Sequence, residues 1–251
     1  MNNNTFKKIS SLKYLKYRKK YEEFMLEGKR LVKASLKSKI NLTSVYCTDY
    51  FKNENKNWIK SFSSHKGFPL KMTQKQCEKL SCTKTPSGII ATYKVKSIKY
   101  LDLKITQWIY LDKISEPGNM GKIIRTADWF GFKNIALSSN CVDPFNPKVV
   151  RSGMGAHFNI TIHNNISLNK FKNSHKIIAA DQSGENVSNY KFPKKFVLLL
   201  GNEARGVSKK NLKEIHDKIA IQKKGSGDSL NVSSAGSILM YIISNLNSKQ
   251  K

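Results

Sequence analysis

Acidic residues are scarce in this 251-residue chain, which has 17 Asp and Glu against 45 Lys and Arg and a formal net charge of +28. A surface of this sign attracts polyanions, and nucleic acid is the commonest polyanion that a soluble protein meets. An A/T-rich genome would also enrich lysine, so a purely compositional origin stays open. The charge favours a surface that binds RNA or DNA.

Cysteine is scarce as well, and the four that occur form no CxxC pair and have no histidines at zinc-like spacing. We therefore expect reduced thiols and no structural metal. No run of about 18 apolar residues is present, which argues against a membrane span. The basic N-terminus lacks the apolar segment of a secretory signal. These absences predict a soluble, cytoplasmic protein.

The first hundred residues have the pattern of a small α/β domain. One apolar face at helical spacing runs from Tyr21 to Leu36 and predicts a helix. Short apolar runs at 42–48 and 87–95 predict strands, with a short helix in TQKQCEKL (73–80) between them. The predicted organisation is a basic, partly ordered arm at 1–17, a domain at 18–98, a linker at 99–106 and a second domain at 107–251.

The second domain contains short, almost continuously apolar runs separated by helical or loop segments. Strands that are buried on both faces of a parallel sheet have this pattern. The stretch AGSILMYIISNL (235–246) predicts a strongly apolar helix. The predicted strands are WIYL (108–111), NIALS (134–138), KIIAA (176–180), FVLLL (196–200) and KIAIQ (218–222).

Three of these strands lead into glycine-bearing loops. In SEPGNMGKIIRTADWFG (115–131), Asn119 is a plausible N-cap of the next helix, and Arg125 follows inside it. This loop is compatible with a phosphate cradle, an ordinary turn or one corner of an active site. A P-loop is excluded, because GNMGK lacks the GxxxxGK[ST] length.

The second loop, LLLGNEARGVS (198–208), places Glu203 beside the end of a buried strand. A carboxylate there is unfavourable unless it is paired or faces a ligand. The third loop, IQKKGSGDSLNVSSAGSILMY (221–241), contains GSGDS, which could cradle a phosphate at a helix N-terminus. Each loop alone is equally compatible with an ordinary turn.

Taken together, the loops resemble the three motifs of the SpoU (TrmH-like) family of RNA ribose 2′-O-methyltransferases, in order and in spacing. RSGMGA (151–156) resembles the small-residue segment between the first two motifs. The N-terminal part, with FMLEGKRLVKASL (24–36) and SGIIA (87–91), is similar to the L30e-like RNA-binding domain. The matching residues are Asn119, Gly121, Arg125 to Gly131, Gly201, Glu203, Gly206, Ser229 to Val232 and Ala235.

The resemblance implies an α/β fold of the SPOUT superfamily, whose C-terminal parallel-sheet domain contains a deep trefoil knot. It also implies a homodimer with the C-terminal helix near the interface, and S-adenosylmethionine as cofactor. The cofactor-binding residues that it implies are Gly201, Asn202, Glu203, Gly206, Ile221 and Leu230.

The resemblance further implies methyl transfer to a ribose 2′-hydroxyl, with Arg125 as the residue that activates the hydroxyl. Because a guanidinium is almost never deprotonated, we expect Arg125 to hold the adjacent phosphate and the 2′ oxygen instead. The remaining catalytic candidates, Asn119, Glu203, Ser229 and Asn231, would orient Arg125 and the RNA backbone.

Two other functions remain open at this point. A noncatalytic RNA-binding or ribosome-assembly protein could have the same fold. The presence of all five polar candidates for the catalytic site, Arg125, Asn119, Glu203, Ser229 and Asn231, argues against a protein that has lost its catalytic activity. A nucleotide-phosphate enzyme that uses GSGDS lacks a Walker-type lysine and a metal-binding carboxylate pair. An N-terminal RNA-binding domain favours ribosomal over transfer RNA as substrate.

Overall fold

A computed structural model of the chain describes residues 1–36, 38, 41–60, 62, 69–95, 98 and 100–248. The α-helices are α1 Asn3–Ser11, α2 Leu15–Tyr21, α3 Lys29–Leu36, α4 Asp49–Glu54, α5 Lys56–Lys60, α6 Gln74–Leu80, α7 Pro117–Trp129, α8 Pro147–Gly153, α9 Lys209–Leu212 and α10 Val232–Ser248. The strands are β1 Glu23–Glu27, β2 Leu42–Cys47, β3 Leu70–Lys71, β4 Ile89–Lys94, β5 Gln107–Leu111, β6 Asn134–Leu137, β7 Thr161–His163, β8 Lys176–Asn186, β9 Phe196–Leu200 and β10 Asp217–Ala220.

The chain forms two compact units. Unit 1 consists of Met1–Ser97 together with Phe145–Phe158, and unit 2 consists of Ile98–Pro144 together with Asn159–Lys251. Residues 145–158 therefore belong with the N-terminal residues, although they lie inside the predicted second domain. Val150 of α8 is buried in the same apolar cluster as Phe24 of β1, which explains the grouping.

Unit 1 is built on a four-stranded sheet in the order β1-β4-β2-β3. The strands β1, β4 and β2 are antiparallel, whereas β3 runs parallel to β2. The predicted strands at 42–48 and 87–95 and the helix within 73–80 are confirmed. Thr73 caps that helix: its side chain accepts from Gln76 N, and the Gln76 side chain accepts from Thr73 N.

The predicted helix from Tyr21 to Leu36 is wrong over its first half, where residues 23–27 form β1 and only Lys29–Leu36 is helical. Phe24, Met25 and Leu26 are all buried, so the strand is covered on both faces and shows no alternation. A short apolar run of this kind matches helical and strand templates equally well. Gly28, at φ +105°, makes the break between strand and helix.

The predicted arm at 1–17 is also wrong, because these residues form α1 and the beginning of α2. Ile9 and Leu12 are buried in one cluster with Tyr46, Leu80 and Ile90. The lysine excess had hidden this small apolar face. The N-terminal segment is therefore an ordered part of unit 1.

Unit 2 contains a six-stranded sheet in the order β10-β8-β9-β5-β6-β7. Every neighbouring pair in it is parallel, as the five apolar runs predicted. Strand β7 was not predicted. The two central strands end side by side, with Leu111 of β5 paired in register with Leu200 of β9. Their following loops therefore leave the same edge of the sheet, where open α/β sheets bind ligands.

Helices α7 and α10 pack against each other beside this edge. Thr126 Oγ1 and Ser237 Oγ are 3.0 Å apart, in hydrogen-bond contact. Gly236 of α10 lies close to Leu200, since a Cβ on this glycine would be 2.9 Å from Leu200 Cδ1. In the described part of the chain, no helix is both long and apolar enough to cross a membrane.

Candidate functional site

Side chains from all three predicted loops are joined by hydrogen bonds in unit 2. Asn119, near the start of α7, donates from Nδ2 to Glu203 Oε1 at 2.8 Å. Asn231, just before α10, donates from its own Nδ2 to Asn119 Oδ1 at 3.1 Å. The three residues follow β5, β9 and β10, and 84 and 112 positions separate the bonded pairs. We call this chain of side chains the Asn119–Glu203–Asn231 network.

Asn119 is not the N-cap that the sequence predicted. The N-cap is Glu116, and Pro117 occupies the first turn of α7. Asn119 lies inside that turn and is only 6% exposed. Its amide uses both its donor and its acceptor to connect neighbouring loops, which is the arrangement that a buried amide needs.

The loop after β9 is tightly folded around Asn202. The backbones of Asn202 and Gly206 exchange two hydrogen bonds of 2.9 Å. Asn202 Oδ1 accepts from the N–H groups of Ala204 and Arg205. Its Nδ2 donates to Lys113 O at 2.8 Å and to Glu203 Oε2 at 3.2 Å. Asn202 therefore holds both the loop and the carboxylate in place.

Position 201 has to be glycine in this loop conformation, because a side chain there would collide with the backbone. A Cβ on Gly201 would lie 2.5 Å from the carbonyl carbon of Gly206 and 2.6 Å from Val207 N. Both contacts are to backbone, which has little freedom to move away. Gly206 itself has φ +62°, a left-handed conformation that favours glycine.

Asp112 is a residue of this region that the sequence analysis missed. It directly follows β5, is 1% exposed, and accepts a hydrogen bond from Ser208 N at 2.7 Å through Oδ2. Oδ1 is buried and has no hydrogen-bond partner among the described residues. Asp112, like Glu203, is a carboxylate at the end of an apolar strand, a pattern that is visible in the sequence.

The loop after β10 is open to solvent. Residues 222–231 are exposed, and a Cβ on Gly225 or Gly227 would meet nothing within 4 Å. Gln182 of β8 tethers the loop by donating to Asp228 O at 2.7 Å. At the end of the loop, Asn231 Oδ1 accepts hydrogen bonds from the backbone N–H and from the hydroxyl of Ser233.

The two apolar candidates of this loop differ in exposure. Ile221 is half-buried, whereas Leu230 is 52% exposed. An exposed leucine beside open backbone is a surface on which a flat apolar group could pack. Ser229 is exposed and makes no hydrogen bond within the described residues.

Arg125 is not part of the Asn119–Glu203–Asn231 network. It is exposed on α7, and its guanidinium has no hydrogen-bond or ion-pair partner in the parts of the chain that the structure describes. Ile123, Ile124 and Ala127 of the same helix are buried. Arg125 therefore lies on the solvent face of α7, available to an anionic group from outside.

The segment RSGMGA lies in unit 1, and its arginine has a structural contact there. Arg151 donates from a guanidinium nitrogen to Cys82 O at 3.0 Å. No group of three or more His, Cys, Asp or Glu side chains is placed to hold a metal ion among the described residues.

Two protein-family profiles match the chain. Residues 107–241 match the SpoU rRNA Methylase family, and residues 3–91 match the MRM3-like substrate binding domain. The first match covers more than half of the 251 residues, and it contains all three loops.

Individual proteins are similar over nearly the whole chain. The 23S rRNA (guanosine(2553)-2'-O)-methyltransferase RlmP of Bacillus subtilis (strain 168) is 27% identical over 233 residues, which are 90% of each chain. The structure of a putative RNA methyltransferase of the TrmH family from Porphyromonas gingivalis is 26% identical, with a TM-score of 0.84 over 96% of this chain and 97% of that one. The AdoMet-bound rRNA methyltransferase from Sinorhizobium meliloti is 25% identical, with a TM-score of 0.82 over 97% and 95%.

Proposed function

Since the chain belongs to the SpoU rRNA Methylase family, we propose that it transfers a methyl group from S-adenosylmethionine to a ribose 2′-hydroxyl of RNA. The observation that carries the proposal is the Asn119–Glu203–Asn231 network, which joins the three motif loops in one place. Ribosomal RNA is the proposed substrate, because the Bacillus subtilis relative is named for 23S rRNA and 2′-O-methylation.

The residues around the two later loops fit S-adenosylmethionine. Gly206, Gly225 and Gly227 have open space where a Cβ would be, and Leu230 offers an exposed apolar side chain. We assign cofactor binding to Gly201, Asn202, Glu203, Gly206, Ile221 and Leu230. When bound, S-adenosylmethionine supplies a methyl group on a positively charged sulfur. A nucleophile can attack the methyl carbon in line, with the sulfur as the leaving group.

Arg125 is the proposed anchor for the RNA. A guanidinium is almost never deprotonated in a protein, so the proposal does not use this side chain as a base. It can instead donate two hydrogen bonds at once, to a phosphate oxygen beside the target nucleotide and to the 2′ oxygen. The 2′-hydroxyl proton then passes to phosphate or to water, while Arg125 fixes the position of the oxygen. Positioning of this kind contributes up to about 7–11 kcal/mol in favourable cases.

The network has a supporting role in this proposal. Asn119 holds the Glu203 carboxylate and the Asn231 amide, so that the loops after β9 and β10 keep one spacing. Ser229, exposed beside Leu230, is free to contact the RNA backbone or the cofactor. Fixing these loops before the substrates bind reduces the entropy lost on reaching the reactive geometry.

Two further features of the fold belong to the proposal. The chain after β9, which carries all the assigned cofactor residues, is the segment that we expect to thread a deep trefoil knot, an exception among protein folds. Unit 1 is the proposed L30e-like RNA-binding domain, in agreement with the match of residues 3–91 to a substrate binding domain. A protein that modifies bacterial ribosomal RNA works in the cytoplasm, which is the proposed location.

A homodimer through α7 and α10 is also proposed. Trp129 is 83% exposed, Tyr241 53% and Ile238 38%, an apolar set on two helices that pack together. A two-fold pairing would bury the same face of both copies. Sedimentation velocity should show a dimer for the wild type and a monomer for Tyr241→Glu. Tyr100→Glu, which changes another highly exposed tyrosine, should remain dimeric.

Arg125→Ala tests the function. The variant should bind S-adenosylmethionine with unchanged affinity in calorimetry and lose nearly all transfer of labelled methyl groups to ribosomal RNA. Lys170→Ala removes one exposed positive charge elsewhere in unit 2 and should keep full activity. Full activity of Arg125→Ala would refute the assignment, and a wild type that binds no cofactor would favour a noncatalytic RNA-binding protein.

A further inference from the structure

The turn between α1 and α2 is held rigidly from two sides. Arg18, which is 4% exposed, donates from one guanidinium nitrogen to Leu12 O at 2.8 Å and to Lys13 O at 2.9 Å. Lys13 Nζ donates to Lys79 O at 2.8 Å and to Ser81 O at 3.0 Å. Two cationic side chains are thus used to fix one short turn.

This rigid turn presents an aromatic ring to solvent. Tyr14 follows Lys13 as the N-cap of α2 and is 66% exposed. The next residue, Leu15, is 44% exposed. The ring and the neighbouring leucine are therefore available to a partner outside the chain, on a turn that is already held in one conformation.

The surroundings of Tyr14 are strongly positive. Residues 1–21 contain seven Lys and Arg and no Asp or Glu. Lys16, Lys19 and Lys20 are exposed on α2, whereas Arg18 on the opposite side is buried. Because residues three and four apart share a helix face, these lysines and Leu15 form one surface with Tyr14 at its end.

The two carboxylates that follow α2 in the sequence do not cancel this charge. Glu23 is buried and already paired with Lys8 at 2.9 Å and Lys94 at 3.2 Å. Glu22 is exposed, but it lies at the far end of α2 from Tyr14. The net charge of the exposed surface is therefore positive.

We propose that this surface, formed by Tyr14, Leu15, Lys16, Lys19 and Lys20 and called here the α2 face, binds single-stranded RNA. Tyr14 stacks on an unpaired base and the three lysines contact the flanking phosphates. The inference rests on the proposed function, because it takes RNA to be the substrate, and it names which part of unit 1 contacts which feature of that RNA.

Single-stranded RNA fits the α2 face better than a duplex or a membrane. A ring can stack only on a base whose face is free, and the bases of a duplex cover one another. A membrane-binding helix needs a broad apolar face, but Ile9 and Leu12 of this region are already buried in unit 1. An aromatic ring next to several lysines, as on the α2 face, is the combination that sites for single-stranded nucleic acids use.

The first experiment measures the fluorescence anisotropy of the full-length protein with a labelled oligouridylate of about 12 nucleotides and with an RNA duplex of equal length. Tyr14→Ala should weaken oligouridylate binding by about tenfold, as loss of one base stack does, and leave duplex binding unchanged. Tyr14→Phe should bind as the wild type does. The matched control is Tyr50→Ala, since Tyr50 is 76% exposed in the same unit but follows Asp49.

The second experiment tests the lysines through salt dependence. Replacing Lys16, Lys19 and Lys20 together by Gln should reduce the slope of log affinity against log salt by about 2, because each single-strand phosphate contact contributes roughly 0.7. The triple control Lys52, Lys56 and Lys60 to Gln removes the same charge from α4 and α5, whose exposed lysines lie elsewhere in unit 1. It should keep the wild-type slope.

Several outcomes would refute the inference about the α2 face and leave the proposed function standing. Equal effects of Tyr14→Ala and Tyr50→Ala would do so, as would equal slopes for the two triple variants, in a protein that still methylates RNA. Binding to vesicles of phosphatidylcholine and phosphatidylserine that depends on Tyr14, with RNA binding unaffected, would assign the α2 face to a membrane surface. A wild-type protein that transfers no methyl groups to RNA would instead refute the proposed function.

Discussion

Asn119 and Glu203 are hydrogen-bonded at 2.8 Å although 84 positions separate them in the chain. The contact exists because β5 and β9 are parallel neighbours that end in register, so that their following loops start side by side. An amide that donates to a carboxylate forms a charge-assisted bond, which is stronger than one between neutral groups. The same amide accepts from Asn231, so one side chain connects three loops.

Asn119→Ala should impair methyl transfer more than it impairs folding. The change leaves Glu203 and Asn231 without their shared partner, and hydrogen bonds of this kind, one of them to a carboxylate, contribute about 1–3 kcal/mol. We expect kcat/KM to fall by about 10- to 100-fold, measured by incorporation of labelled methyl groups. Asn173→Ala, at an exposed position of unit 2, should match the wild type. An Asn119→Ala enzyme of normal kcat/KM would show that the network has no part in the reaction.

Gly201→Ala should displace the loop after β9. The new Cβ would lie 2.5 Å from the Gly206 carbonyl carbon, so the backbone has to move. We expect cofactor affinity in calorimetry to fall by at least about tenfold, equal to some 1.4 kcal/mol. Gly118→Ala makes the same chemical change next to the network, where the Cβ would meet Glu116 Oε1 at an ordinary 3.7 Å. If both variants bind the cofactor equally well, the close approach at Gly201 is irrelevant to binding.

Val150→Ala should destabilise unit 1, although Val150 lies within the part of the sequence that matches the methyltransferase family. The side chain is 2% exposed, and loss of its methyl groups leaves a cavity that costs about 1–3 kcal/mol. Hydrogen exchange of the β1 amides should accelerate, while that of the β9 amides stays unchanged. The comparison variant is Val142→Ala in unit 2, which should leave β1 protected. Unchanged β1 exchange in Val150→Ala would contradict the assignment of α8 to unit 1.

Stability should fall as the pH drops below about 6.5. Burial lowers the pKa of His163 and of His175 from the ordinary value of 6.5. Between the lowered and the ordinary pKa, the unfolded chain binds more protons than the folded one, so the free energy of unfolding decreases with decreasing pH. His163→Phe replaces a buried ring that lies edge-on to Trp108 and should make this decrease shallower. Urea unfolding at several pH values measures the slope, and equal slopes in variant and wild type would disprove the contribution of His163.

Local patterns in the sequence were sufficient for much of unit 2. The apolar runs predicted five of its strands and their parallel arrangement, because a strand buried on both faces needs nearly every side chain to be apolar. That the three loops form one site was implied by their resemblance to the SpoU motifs, since each loop alone was equally compatible with an ordinary turn. Pro117, a residue favoured in the first turn of a helix, already indicates that α7 starts three residues before the start that Asn119 as N-cap would give. The bond from Asn119 to Glu203 could not be read from the sequence, because it joins residues 84 positions apart.

Unit 1 shows where local patterns fail. The run around Phe24 is short, apolar and followed by a helix, so its own spacing could not separate strand from helix. Pairing with β4, from Glu23 opposite Lys94 to Glu27 opposite Ile90, makes it a strand. The N-terminal lysines likewise concealed that Ile9 and Leu12 have a core to pack against, formed by residues up to 81 positions away.

The sequence by itself determined the charge of the surface, the buried strands of unit 2 and the identity of the side chains in the three loops, since each depends on composition or on neighbours along the chain. Only the tertiary structure decided that β1 is a strand, that residues 145–158 belong to unit 1, and that Asn119 joins Glu203 to Asn231. Those features depend on contacts between distant segments, whose free energy outweighs the weak preferences of short stretches.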